Sequence, residues 1–122
     1  MTQPTALDVA LAYHRAWTGH DFEAAMQYVA DDIVCLAPAG SIEGAEAFRG
    51  FMEPFSKILL DSLVVAAYGD ESTALLMYET RTVPVADAPA AEMLTVEDGR
   101  ITQLRIIFDR LPFTEARAAN AS

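Results

Sequence analysis

Several side chains in this sequence are capable of chemistry: Tyr13, His14, His20, Cys35, and a late set of charges at Glu79, Arg81, Glu92 and Arg105. Tyr13 can donate a hydrogen bond to a carbonyl oxygen. A core tyrosine whose hydroxyl reaches backbone or a wet edge accounts for it as readily. Trp17 lies one helical turn on, and packing alone explains it about as well as a binding role. The imidazole of His14 titrates near neutrality. It sits ~100° round a helix from Tyr13, so it reads as a surface or satisfied interior histidine. His14 and His20 are six apart without a partner motif, and no metal site is expected. Cys35 would need a base and a lowered pKa to act as a nucleophile. No such base is evident, and a small buried hydrophobe is the favoured reading. Glu79, Arg81, Glu92 and Arg105 suit cross-strand pairing rather than a charge relay. Asp31 and Asp32 read as the solvated end of a helix.

The chain that must position these groups has 122 residues, enough for one small domain. Hydrophobic residues make up 52%, but 22 of them are alanines, so the core rests on fewer large side chains. Eight Lys and Arg against 18 Asp and Glu give a net charge of −10. Such a chain is repelled by nucleic-acid phosphates and anionic lipid, so neither is expected as a partner. One cysteine permits no internal disulfide and no thiolate zinc site, and no cofactor is expected. The opening Met1-Thr2-Gln3-Pro4-Thr5 lacks signal-peptide features and no apolar run reaches a membrane span, so the expected location is cytoplasmic.

The apolar spacing predicts a helix from Thr5 to Thr18, a second capped by Asp21, and a third from about Ala45 to Leu60. Pro54 is expected to kink the third helix or restart it. Ile33–Leu36 reads as a short strand. Leu63–Tyr68, Thr73–Val83, Ala90–Glu97 and Arg100–Asp109 read as a four-strand antiparallel meander, the last two joined at Asp98-Gly99. Segregated helices and antiparallel strands give an α+β class. The ordered core is expected over about 5–113, with 114–122 as a tail. An uninterrupted register from Asp98-Gly99 sets Val96 opposite Ile101, Met93 opposite Leu104 and Glu92 opposite Arg105. Ala91, Met93, Leu104, Ile106 and Phe108 then share one face, joined by Tyr78, Thr80 and Thr82. Glu92, Leu94, Gln103, Arg105, Ile107 and Asp109 share the other, with Glu79 and Arg81.

Tyr13-His14-Arg15-Ala16-Trp17-Thr18-Gly19-His20-Asp21, Ala30-Asp31-Asp32-Ile33-Val34, Pro38-Ala39-Gly40, Glu43-Gly44-Ala45-Glu46-Ala47-Phe48, Asp98-Gly99-Arg100-Ile101 and Phe108-Asp109 follow one another in a recognisable order. In that order and spacing the chain resembles the nuclear transport factor 2-like superfamily, in its SnoaL-like and ketosteroid isomerase-like branch. The resemblance implies a single-domain cone of the cystatin-like kind: a curved antiparallel sheet wrapped around three N-terminal helices, with a pocket in its mouth. It also supplies catalytic positions. The isomerases' basic Asp falls on Ala37 and their acidic hydrogen-bond donor on Ala91, while Glu92 next to it is expected to face away. Their first-helix Tyr matches Tyr13, and the Tyr that supports it falls on Met52. An Asp common in the hydrolases and cyclases falls on Ile106. Neither activity is therefore carried over, and no steroid isomerase activity is expected.

The resemblance and the shared apolar faces together predict a pocket lined by Tyr13, Trp17, Cys35, Phe51, Met52, Phe55, Tyr78, Thr80, Met93, Leu104, Ile106 and Phe108, with Tyr13 as the candidate catalytic group. The expected ligand is small, apolar, and cyclic or carbonyl-bearing. The function is that of a pocket protein, with an isomerase-, cyclase- or hydrolase-like enzyme that lacks the usual acids as one form. A non-catalytic binding or dimerisation module is the other. A homodimer is expected through the outer sheet face, with Glu79, Arg81, Glu92 and Arg105 around Leu94 and Ile107.

Overall fold

Helix α1 (Ala6–Thr18) starts at a reciprocal cap. The Thr5 hydroxyl accepts from the Asp8 amide at 3.1 Å, and the Asp8 carboxylate accepts from the Thr5 amide at 3.3 Å. Asp21 caps the short α2 (Phe22–Met26) through the Ala24 amide. The computed structural model describes residues 4–121. The remaining elements are β1 (Val29–Ala37), β2 (Gly40–Glu43), α3 (Ala45–Ile58), β3 (Leu59–Gly69), β4 (Thr73–Thr82), β5 (Ala90–Glu97), β6 (Arg100–Phe108) and α4 (Leu111–Ala121).

The six strands form one curved sheet in the order β2-β1-β6-β5-β4-β3, antiparallel except for the parallel β1–β6 pair. The α+β class stands, with α1 lying against the inner face of β3–β6. Its buried stripe of Ala6, Val9, Ala10, Tyr13 and Trp17 meets Leu76, Tyr78, Leu94, Ile101 and Leu104 in the core. The expected Asp98-Gly99 turn is present, with φ of 52° and 77°, as a two-residue hairpin requires.

Several expectations need correction. Residues 111–121 form helix α4 rather than part of a tail. Pro54 lies within a continuous α3, and β3 begins at Leu59, where the third helix was expected to continue. Gly40–Glu43, to which no element was assigned, folds back on β1 as β2. Early strand β1 is longer than expected and pairs with the end of the chain, a contact of high sequence separation.

The largest correction concerns β5 and β6. Val96 does face Ile101, but Thr95 pairs with Gln103, so Thr102 is an extra residue on β6. From this bulge onward the register moves by one. Leu94 sits opposite Leu104 and Glu92 opposite Ile106, all four buried, while Met93 pairs with Arg105 on the outside. Met93, expected in the pocket, is on the outer face, and Glu92 and Leu94, expected outside, are inside. Ala91 also faces outward, beside Met77 and Ile107. The physical reason is the odd spacing between Ile101 and Leu104. Without the bulge, Val96 and Ile101 would lie on the face opposite Leu104 and Ile106. With it, all four are buried together with Leu94. Leu94 and Val96 alone bring ~3–6 kcal/mol of burial.

Candidate functional site

Helix α3 places Phe51, Met52 and Phe55 along one side, and β4, β5 and β6 place Tyr78, Ala90, Ile106 and Phe108 opposite them. With Ala88 and Phe113 these residues enclose an inner cavity of about 80 Å³. An outer cavity of about 580 Å³ adjoins it and shares Phe51, Phe55, Phe108 and Phe113. The four phenylalanines thus form a constriction between the two. Phe113 comes from α4 and seats its ring 6.0 Å from both Phe55 and Phe108, perpendicular to the latter. The size of the outer cavity falls within the ~300–1,000 Å³ usual for ligand sites.

Behind the inner wall lies a buried polar cluster. The Tyr78 ring lines the cavity, and its hydroxyl donates a hydrogen bond to Oε1 of Glu92. Oε2 of Glu92 and the Tyr13 hydroxyl are buried without a hydrogen-bond partner. Loss of hydration raises the Glu92 pKa to about 7, with the Tyr78 hydrogen bond acting in the opposite sense. Tyr13 is pushed well above the usual phenol value by burial, then by the charge of Glu92. Burial, with Glu92 second, pushes Cys35 up to about 12, so it stays a thiol at neutral pH. Glu92, Tyr78, Tyr13 and Cys35 are therefore one electrostatic unit.

His14 is interior too. Its Nε2 lies 3.3 Å from Oγ of Ser62, which donates its own proton to the Glu79 carbonyl at 2.8 Å. The imidazole is therefore the donor in that contact, which leaves Nδ1 a bare acceptor without a partner. Burial lowers its pKa to about 4, so it is neutral at physiological pH. Its ring stands 4.5 Å from that of Tyr78 and 5.2 Å from that of Trp17.

Of the residues expected to line a pocket, Phe51, Met52, Phe55, Tyr78, Ile106 and Phe108 do so. Tyr13, Trp17, Cys35, Thr80 and Leu104 are buried around the cavity without forming its wall. Thr80 spends its hydroxyl on the Ala88 carbonyl at 2.6 Å, and Met93 is absent from the interior. Sequence reasoning missed Glu92 and Phe113, and left His14 open between a surface and an interior position, of which the structure takes the interior one. The signal for Glu92 was the odd Ile101–Leu104 spacing. For Phe113 it was the apolar Leu111-Pro112-Phe113 beyond the last strand. Among the described residues no group of His, Cys, Asp and Glu is placed to hold a metal ion, and no helix is long and apolar enough to cross a membrane.

The cone, its cavity and its carboxylate can now be set beside known proteins. The family model of the SnoaL-like domain matches residues 10–104. The chain belongs to the SnoaL-like domain family. Among solved structures it is similar to a protein from Kribbella flavida DSM 17836, with 70% identity and a TM-score of 0.93 over 96% of this chain and 97% of that one. An NTF2-like protein of unknown function from Cytophaga hutchinsonii ATCC 33406 is 23% identical, with a TM-score of 0.77 over 93% and 99% of the two chains. A protein with a cystatin-like fold from Silicibacter pomeroyi DSS-3 is 13% identical, with a TM-score of 0.77 over 95% and 85%. The latter two share the fold alone. No curated protein matches the chain.

Within this SnoaL-like domain the isomerase pattern now reads differently at one position. Ala37 still stands where a basic Asp was sought. Ala91 faces outward, and the neighbouring Glu92 faces inward because the bulge turns it there. The premise that no carboxylate faces the interior does not hold.

Proposed function

We propose that this SnoaL-like domain is a small-molecule pocket protein whose ligand is apolar and cyclic or carbonyl-bearing. The body of the ligand occupies the phenylalanine-lined cavities, and its oxygen points towards the Tyr78–Glu92 pair. The observation that carries this reading is Glu92: a fully buried carboxyl, tied to a cavity-wall tyrosine by one oxygen and unpartnered at the other. Burial raises its pKa to about 7, so it can exchange a proton near neutral pH, and it reaches the cavity through the Tyr78 hydroxyl that it holds. Ala37 offers no second carboxylate, so the reading stops at polarising and protonating an oxygen and does not extend to double-bond migration. The test is native mass spectrometry of the purified protein to find retained small molecules, repeated on Glu92→Gln and Tyr78→Phe. A retained apolar molecule that is lost or weakened in both variants supports the reading. Retention unchanged in both removes the polar pair from it.

We further propose that two copies associate through the outer sheet face, on residues partly different from those first expected. Glu92 and Leu94 are inside. Tyr68, Leu75 and Met93 lie in one cross-strand row with Arg105, and Ala66, Met77, Ala91 and Ile107 form the next. Tyr68, Leu63, Ile107, Val65, Leu75 and Met77 are each more than half exposed. An apolar patch of this kind on a sheet is favoured as an interface over bare water. Arg81 already pairs with Asp61 within the chain, so it contributes less to the partner than its sequence position suggested. Light scattering at micromolar concentration tests this. A monomer near 13.2 kDa rules it out.

A further inference from the structure

The outer cavity has a property that apolar-ligand binding alone does not account for. Its wall is Ala37, Pro38, Phe51, Phe55, Ile58 and similar side chains, and the charged residues on it are two arginines, Arg110 and Arg117. Among the described residues no carboxylate lines it, although the chain carries 18 acidic and only eight basic residues. Both arginines come from one helical face. The Arg110 carbonyl accepts the first bond of α4, from the Thr114 amide at 3.0 Å. Positions 110, 113, 116 and 117 then follow the three- and four-residue steps of one stripe. Phe113 is the apolar member of that stripe, and Arg110 and Arg117 line the same cavity on either side of it in sequence. The ion pairs among the described residues engage Arg49 and Arg81, not these two. Both side chains are exposed, so their charges remain available to a ligand in the mouth.

We propose that the ligand is an amphipathic anion: an apolar ring body held by the phenylalanines, with a carboxylate or sulfonate-like group at the mouth between Arg110 and Arg117. This rests on the pocket reading above and adds the charge of the ligand to it. Planar guanidinium groups suit a carboxylate geometrically, and a mouth lined by one sign of charge draws an anion in. A small soluble anion is the occupant rather than a membrane or a nucleic acid, because the net charge of −10 repels any extended anionic surface.

Two fluorescent probes test this: anilinonaphthalene sulfonate and its uncharged parent, N-phenylnaphthylamine. Wild type is expected to bind both, the sulfonate roughly tenfold more tightly, with added salt reducing only the sulfonate's advantage. In an Arg110→Gln/Arg117→Gln variant the sulfonate should weaken by about tenfold while the parent stays within about twofold. Circular dichroism checks that this variant is folded, and an Arg110→Lys/Arg117→Lys variant should recover part of the loss. If the parent binds and the sulfonate gains nothing, or if the glutamine variant binds the sulfonate as wild type does, the arginine proposal is overturned and the pocket reading stands. If neither probe binds, the pocket reading falls and the arginine proposal with it.

Discussion

The two faces of strands β4–β6 differ in a way that inverts the simplest rule. The inner face holds the carboxyl of Glu92 and the hydroxyl of Tyr78, and α1 packs Tyr13 and His14 against it. The outer face, open to water in the isolated chain, holds Leu75, Met77, Met93 and Ile107. Buried polar groups and exposed apolar patches are the informative departures from average burial. On the inner face the departure marks a site where water is excluded and a proton can be held. On the outer face it is the surface to which the proposed self-association is assigned. Side-chain alternation thus puts Tyr78 and Glu92 on one side of the sheet and the exposed apolar side chains on the other.

The strongest way to break this comparison is to put one charge on each face in turn. Leu94→Asp buries a carboxylate among Leu104 and α1, and the expected loss is ~4 kcal/mol or more, enough to leave the chain unfolded in a urea titration. Ile107→Asp, on the same pair of strands but outside, should leave circular dichroism and the urea midpoint of the monomer close to wild type. A cooperative, native-like Leu94→Asp protein would show the register of β5 and β6 to be other than described.

The next effect is in pH dependence. The folded-state pKa of Glu92 is raised to about 7, so its contribution to stability is full below the unfolded carboxyl value and is lost as pH rises towards 7. The folded-state pKa of His14 is lowered to about 4, so its contribution is full above the unfolded imidazole value and is lost as pH falls towards 4. Between about pH 4.5 and 6.5 the two slopes oppose each other, and wild-type stability should be nearly flat there. Glu92→Gln should remove one slope, leaving stability that falls steadily with acidification by about 3 kcal/mol across the window. His14→Gln should show the opposite trend. Thermal midpoints at half-unit pH steps give both curves, and parallel curves for wild type and Glu92→Gln would contradict a buried, perturbed carboxyl.

On the outer face, Met77→Asp with Ile107→Asp should weaken self-association by about tenfold or more at no cost to the fold, read by light scattering against concentration. An unchanged dimer would move the interface elsewhere. The smallest effect belongs to the exposed Arg81–Asp61 pair. Arg81→Ala should leave both the thermal midpoint and the association state nearly unchanged, because solvent and salt screen that pair.

Much of this molecule was legible before its structure. The helix cap at Asp21, the buried stripe of α1 and the turn at Asp98-Gly99 are short-range signals. Each is decided by residues within a few positions of one another, and local periodicity reports them faithfully. The phenylalanines of α3 were legible for the same reason. Glu92 was not, because the side a strand residue takes depends on every pairing between it and the turn, and one extra residue reverses them all.

The sequence by itself determined that α1, α2, most of α3 and the four late strands form, which stripe of each of these helices is apolar, and that a SnoaL-like fold results. Only the tertiary structure decided that Thr102 bulges, that β1 joins β6, and that Arg110 and α4 bring Phe113 and two arginines to the outer cavity. These are choices between whole-sheet alternatives. An unbulged β5–β6 pair satisfies every local rule but leaves Leu94 and Val96 in water. The observed pairing buries them beside Ile101, Leu104 and Ile106 and accepts Glu92 inside, where a proton and the Tyr78 hydroxyl offset the cost of its burial. That balance is struck over side chains brought together from β1, β4, β5, β6 and α1 at once, and no local stretch of the sequence contains it.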